Sequence, residues 1–158
     1  MDLETRNKVI TIVLGIVIVF LAYYLYRSIV DPYQEVLQEQ EMTERVQHRM
    51  TLVRDALIEY RNEYGEFPPT DGGLDTLVNF LKTNERMVEQ GSELFEERPP
   101  SVYNPDSLKF SPRSPHNEFQ YTLNDTLRPQ IYLLEDPDSD LAIGDLERTT
   151  LLNAPNWH

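Results

Sequence analysis

An uncharged apolar run near the amino terminus limits the possible folds of this chain more than any other feature. Residues 9–26 (VITIVLGIVIVFLAYYLY) form 18 positions without a formal charge. At about 1.5 Å of rise per residue, a helix of that length spans roughly 27 Å, close to the ~30 Å hydrocarbon core of a bilayer. The run ends in three tyrosines, which suit the headgroup level, and Arg27 can extend toward water there. We therefore expect a single-pass membrane helix over residues 9–30, preceded by a cytoplasmic leader, residues 1–8.

A cleavable signal peptide is the alternative interpretation of this run. Its apolar region spans about 7–15 residues before a small-x-small cleavage site, whereas this run is longer and ends in tyrosines. Arg6 and Lys8 precede the run, and only Arg27 follows it before Arg45. Positive-inside counting therefore favours, by a small margin, a cytoplasmic amino terminus and an exported carboxy-terminal body.

Charge and cysteine content narrow the class of protein further. The 158 residues carry a net charge of −13 and include no cysteine. An acidic surface repels phosphate backbones, so we do not expect a nucleic-acid partner. The lack of cysteine removes disulfides, thiolate nucleophiles and iron–sulfur clusters from consideration.

A one-sided helical pattern follows the apolar run. Residues 33–64 contain no Pro or Gly, and an apolar stripe with spacings of 4, 3, 4, 3 and 4 is formed by Val46, Met50, Val53, Leu57, Tyr60 and Tyr64. Gly65 and two nearby prolines end the pattern. The stripe predicts a face packed on the chain's own domain. A coiled coil, the alternative, needs about three or four sustained heptads, and the pattern fails upstream at Glu39 and Thr43. Residues 31–65 are thus expected to continue the long helix outside the membrane.

Residues 66–158 predict a small globular domain. Thr70 or Asp71 is expected to cap a second helix, whose buried side would carry Leu74, Leu77, Val78 and Leu81. Residues 84–118 form a Pro-, Ser- and Glu-rich connection of weak periodicity.

Two strand candidates follow this connection. Residues 118–123 alternate apolar and polar side chains, and residues 130–134 form a short apolar run. Asn124-Asp125 and the nearby Pro129 supply a turn, so an antiparallel hairpin is the natural pairing. The predicted fold class is α+β: a long N-terminal helix packed on a short helix and a small antiparallel sheet.

Four short motifs lie at fixed distances from one another in the first half of the chain. They are a proline after the apolar run (Pro32), an Ala-Leu-x-x-Tyr segment (56–60), an aromatic-Pro stop (Phe67-Pro68) and a Gly-Leu-x-x-Leu segment (73–77). With these motifs the chain resembles the major pseudopilin of type II secretion, and residues 115–121 (PHNEFQY) are a weaker match to a later family segment that carries Trp and Gly. The resemblance implies a pilin-like fold in the bacterial inner membrane with a periplasmic carboxy-terminal domain. It also implies partners among other pseudopilin or secretion-system subunits, including homo-oligomers.

The front of the chain departs from that family. Family precursors carry a Gly before the cleavage point, an aromatic first mature residue and a Glu inside the apolar run. In the same register those places hold Ile10, Thr11 and Gly15, so the peptidase motif is missing. An unpaired Glu is costly in lipid, and its absence suits a chain that keeps its leader. We expect an unprocessed pseudopilin-like subunit, with Gly15 as the close-approach position for helix packing.

Six carboxylates lie within residues 135–147. Hard cations such as Ca²⁺ take about six to eight oxygen ligands, and the spacing partly fits an EF-hand loop. However, Leu141 occupies the position that requires Gly, and a strand pattern precedes the loop.

Major pseudopilins bind Ca²⁺ after their sheet, so the resemblance implies a calcium site here, with Asp138 and Asp145 as the best matches. The full set of candidate ligands is Asp136, Asp138, Asp140, Asp145 and Glu147. A solvated acidic turn is the alternative, because Asp-Pro-Asp-Ser-Asp is also favourable turn chemistry.

Catalytic motifs do not stand out in this sequence. His48, His116 and His158 have no metal-ligand spacing, and no nucleophile elbow, His-Glu-x-x-His, phosphate loop or dinucleotide fingerprint occurs. We therefore expect a structural subunit of a type II secretion or type IV pilus-like export machine, not an enzyme. The alternatives are a non-polymerising single-pass adaptor or sensor with an exported pilin-like domain, and a calcium-dependent binding module.

Overall fold

A computed structural model describes residues 3–157, except for the side chains of residues 31 and 32. His158 and the first two residues of the predicted leader therefore lie outside the described residues. The helices are α1 (Leu3–Tyr64), α2 (Gly73–Thr83), α3 (Glu85–Leu94) and α4 (Pro105–Leu108), with a 3₁₀ turn at Thr149–Leu151. The strands are β1 (Gln120–Asn124), β2 (Ile131–Glu135) and β3 (Ala142–Gly144). This arrangement confirms the α+β fold class.

The long helix α1 continues past the apolar run without a break. The chain divides into two compact units within this helix, after Glu41. In the first unit every side chain from residue 9 to residue 26 is exposed. The second unit, which we call the head, contains the rest of α1 and all later elements.

The predicted stripe on α1 is buried in the head from Val46 onward. The side chains of Val46, Met50, Val53 and Leu57 are essentially inaccessible to solvent. They pack in one core with α2 and the sheet, together with Leu77, Leu81, Phe95, Tyr132 and Leu134. Tyr64, at the end of the stripe, remains exposed. One-sided apolar spacing therefore predicted the packed face, except at its last position.

Gly65 ends α1 in the left-handed conformation. Its φ is +81°, which glycine adopts without the steric cost that a Cβ brings, and its N–H donates to the Arg61 carbonyl at 2.7 Å. The expected cap of α2 was wrong, because the N-cap is Gly72 and it provides no side-chain bond. Thr70 is engaged elsewhere: its Oγ1 accepts from the Leu123 N–H of β1 at 2.9 Å.

Residues 84–118, expected to be an irregular connection, contain α3 and α4. Asn84 caps α3, because its Oδ1 accepts from the Met87 N–H at 3.2 Å. Only Met87 and Gly91 of α3 are buried, so most of this helix faces solvent. A Cβ at Gly91 would lie 2.8 Å from the Tyr103 hydroxyl, so this glycine lets the Tyr103 ring approach closely.

The predicted hairpin is confirmed as an antiparallel β1–β2 pair in which Tyr121 lies opposite Leu134. A third strand, β3, was missed; it pairs antiparallel with β2. Gly144 is required at its end, since its φ is +90° and a Cβ would lie only 2.1 Å from the Tyr132 carbonyl oxygen. Residues 154–156, here called the C-terminal strap, cover the outer edge of β3. Two main-chain bonds hold the strap, Gly144 N–H to Ala154 O and Asn156 N–H to Ala142 O, both 2.9 Å.

Candidate functional site

The apolar half of α1 is the first candidate site. Within residues 3–157 it is the one helix that is long and apolar enough to cross a membrane, with a mean hydropathy of 2.5 over its best 18 residues. None of that window is buried by the protein itself. In water such a surface would be strongly unfavourable, so its length and exposure are compatible with a membrane span.

A shallow groove of about 600 Å³ marks one face of this helical segment. It is lined by Ile12, Gly15, Ile16, Val19, Phe20 and Tyr23. A Cβ placed on Gly15 would meet no heavy atom within 4 Å. The missing side chain therefore leaves a notch that an incoming helix or acyl chain can enter.

The acidic segment is the second candidate site, and β3 divides it. Asp136, Asp138 and Asp140 belong to the turn between β2 and β3, whereas Asp145 and Glu147 follow β3. In the turn, the Asp136 N–H donates to the Leu141 carbonyl at 3.0 Å. The sequence presented these carboxylates as one loop, and the structure shows a hairpin turn plus a separate segment.

Asp136 is the one acidic candidate that is fully buried among the described residues, with 2% of its surface exposed. Its Oδ2 accepts from the Ser139 hydroxyl at 2.5 Å. Its Oδ1 is buried and has no hydrogen-bond partner in the described part of the chain. A buried carboxylate oxygen normally has a partner, so Asp136 is the least satisfied group of the segment.

Asp138 and Asp145 already have partners within the protein. Both Asp138 oxygens accept from the Asn117 side-chain amide, at 2.9 and 3.1 Å. Asp145 accepts the main-chain N–H groups of Glu147 and Arg148 at 2.7 and 2.8 Å, and the Arg148 guanidinium lies 2.9 Å away. These N–H groups, and then the guanidinium, lower the pKa of the Asp145 carboxyl. Each carboxylate would have to exchange such partners to bind a cation.

The remaining two candidates are exposed. The side chains of Asp140 and Glu147 face solvent, and Asp140 contributes its main-chain oxygen to the Asn156 side-chain amide at 2.6 Å. Across residues 3–157, no three His, Cys, Asp or Glu side chains are grouped closely enough to hold a metal ion. Calcium binding at Asp136, Asp138, Asp140, Asp145 and Glu147 therefore stays a prediction.

A buried ion pair between α1 and the segment after α3 was not anticipated. Arg49 Nε lies 2.7 Å from Glu97 Oε1, and their side chains are only 8% and 4% exposed. Arg49 also donates to the Ser107 and Phe110 carbonyls, at 3.0 and 3.2 Å. The signal in the sequence was an arginine directly before Met50 on the apolar face of α1. This cluster fixes residues 97–110 against the long helix.

Each of the two described histidines is hydrogen-bonded to a main-chain oxygen. His48 Nε2 is hydrogen-bonded to the Glu96 main-chain oxygen at 2.8 Å, and His116 Nδ1 to the Ser111 main-chain oxygen at 3.0 Å. The first contact joins α1 to the segment after α3, and the second lies within the loop between α4 and β1.

Comparison with known proteins adds no relative to this description. The chain matches no family model, no curated protein and no solved structure.

Proposed function

We propose that this chain is a membrane-anchored, pseudopilin-like structural subunit of a type II secretion or type IV pilus-like export machine. It would act by packing of its long helix in the membrane and by contacts between exported domains. The observation that carries the proposal is the change in exposure along α1. Its apolar half is exposed over a lipid-length stretch, and its later half is buried on one side of an α+β head.

The motif residues that suggested the pseudopilin resemblance also support the proposal. Ala56 and Leu57 are fully buried in α1, and Phe67 is buried just after it. The Tyr121 hydroxyl donates to the Pro68 carbonyl at 2.9 Å. A Cβ on Gly73 would lie 2.8 Å from the Tyr121 ring. The motifs after the span therefore join the end of the long helix, the start of α2 and the sheet.

Loss of the gene in its own host tests this function. We expect the release of at least one exported protein to fall and to be restored by the full chain. A chain that lacks residues 9–26 should fail to restore export. In the matched control, an unrelated membrane helix replaces residues 9–26. This control shows whether the anchor acts only as a tether. Unchanged export after deletion would contradict the proposal.

Processing and orientation are tested on membrane-extracted protein. We propose that the leader is retained, with the amino terminus in the cytoplasm and the head in the periplasm of a bacterial inner membrane. Intact mass should equal that of the whole chain, and loss of about ten N-terminal residues would overturn the unprocessed state. Because the chain has no cysteine, a single cysteine at exposed Ser92 can be labelled from the periplasmic side only if the head is exported.

A non-polymerising adaptor or sensor with a calcium-binding head is the second candidate function. The buried, unpartnered Oδ1 of Asp136 supports the calcium-binding part of this candidate, because a cation would satisfy this oxygen. A ligand bound only to the folded head adds about 2.7 kcal/mol at a hundredfold excess over its Kd, so calcium should raise the melting temperature. Asp136→Asn should remove that rise, and Asp125→Asn, at an exposed turn, should keep it. Identical melting curves in EDTA and millimolar calcium would exclude the site.

A further inference from the structure

A second apolar stripe on α1 continues beyond the lipid-length run. Its members are spaced by 4, 3, 4, 3, 4, 3 and 4 residues, and we call them the seam: Ile12, Ile16, Val19, Tyr23, Tyr26, Val30, Tyr33 and Leu37. An average spacing of about 3.5 residues is the repeat of a left-handed helix pair. The groove beside Gly15 lies on the same face, where the missing side chain permits close approach of a second backbone.

Lipid does not account for the later part of the seam. Within residues 9–26 the helix is apolar on all sides, so the spacing there carries little information. After Arg27 the polar and apolar side chains lie on different sides of the helix. On the apolar side, Tyr33 and Leu37 are still 64% and 39% exposed. Helical rotation of about 100° per residue places Glu35 and Glu39 on the opposite side. An apolar face that continues beyond the lipid-length run is a candidate surface for a protein partner.

We propose that a second copy of this chain covers the seam and forms a parallel two-helix pair from Ile12 to Leu37. The inference rests on the membrane anchoring in the proposed function and names the partner of that helix. A second copy inserts in the same orientation, so a two-fold pair sets each seam residue against its own counterpart at the same depth. Two chains of net charge −13 repel each other, but none of the eight seam positions is charged, so their closest contact avoids that repulsion.

Cysteine cross-linking of the full chain in native membranes tests the pairing. The chain has no cysteine of its own, so Tyr33→Cys, Leu37→Cys and the back-face control Glu35→Cys each introduce one thiol. A disulfide requires Cβ atoms about 4 Å apart, and only the two seam variants should form a species of twice the 18.5 kDa chain mass under mild oxidation. Equal cross-linking of all three variants, or cross-linking of the seam to a different protein, would overturn the second copy as partner.

A mass measurement in detergent supplies an independent readout. We expect the native chain to be a dimer and Val30→Glu/Leu37→Glu to be monomeric, because two charges then face each other across the pair. The matched variant Ser28→Glu/Gln38→Glu adds the same charges away from the seam and should remain dimeric. A dimeric seam variant, or a monomeric native chain, would contradict the proposal. A monomeric native chain whose gene is still needed for export would overturn this inference alone, whereas a stable dimer with export independent of the gene would overturn only the proposed function.

Discussion

Two parts of the same helix show how an apolar pattern relates to its surroundings. Residues 9–26 are apolar on every side and none of that surface is covered by the protein. From Val46 to Leu57, apolar side chains occupy one side only and are fully buried in the head. A helix that is apolar all around is suited to lipid, whereas a single stripe is suited to packing on its own domain. Both segments avoid water, and the distribution of polar residues around the helix indicates what covers each.

Charges in the middle of the apolar run should have the largest effect. Val17→Asp/Ile18→Asp introduces two carboxylates near the bilayer centre, at about 2.5–3.5 kcal/mol each on insertion scales. We expect this variant to move from the membrane pellet to the supernatant after carbonate extraction. Gln38→Asp/Gln40→Asp, outside the run, is the matched control and should stay in the pellet. Retention of the first variant would remove the distinction between the two parts of α1.

Breaking the buried ion pair should give the next largest effect. Arg49→Met leaves the Glu97 carboxylate buried without its cation, a loss of about 3–5 kcal/mol in the free energy of unfolding. Arg54→Met is the matched control, because Arg54 pairs with Asp55 near the surface, where such pairs contribute roughly 0–1 kcal/mol. Denaturant unfolding followed by circular dichroism measures both, and equal losses would show that burial of the pair is unimportant.

Truncating one leucine in each part of α1 tests the comparison directly. Leu57 is fully buried and Leu14 is exposed. Leu57→Ala should cost about 2–5 kcal/mol, since it leaves a cavity in the head core. Leu14→Ala should leave the unfolding of the head unchanged. The idea that the first segment is not part of the core fails if both substitutions destabilise the head equally.

Alkaline pH should destabilise the head through its buried tyrosines. Burial raises the pKa of Tyr132 far above its ordinary value of 10.0. The unfolded state then loses this proton first, so the stability is complete below pH 10 and falls above it, by about 1.4 kcal/mol per pH unit. Tyr132→Phe should make the decline in unfolding free energy with pH shallower by that amount.

The elements that the sequence predicted are those with strong local signals. The stripe from Val46 to Leu57 and the stop at Gly65 depend on residues only a few positions apart, and so does the β1–β2 hairpin. These features were visible because helical and strand periods repeat along the chain. In contrast, α3 buries only Met87 and Gly91, and it lies in a segment rich in Pro, Ser and Glu that was interpreted as a connection.

Contacts between distant residues account for what the sequence did not reveal. β3 has only three residues and is completed by the C-terminal strap, so its local pattern is short. Arg49 stood out on the apolar face of α1, but its partner Glu97 looks like an ordinary surface charge until the fold brings the two together. The acidic candidates were visible as a run of carboxylates, but their division by β3 and the engagement of Asp138 by Asn117 follow from tertiary structure.

The C-terminal strap makes the carboxy-terminal end of the head sensitive to truncation. Because residues 154–156 occupy the hydrogen-bonding groups on the outer side of β3, removing them would open a strand edge to pairing with other chains, a common route to aggregation. The turn at Asp125 is exposed and offers a solvent-facing place for an insertion.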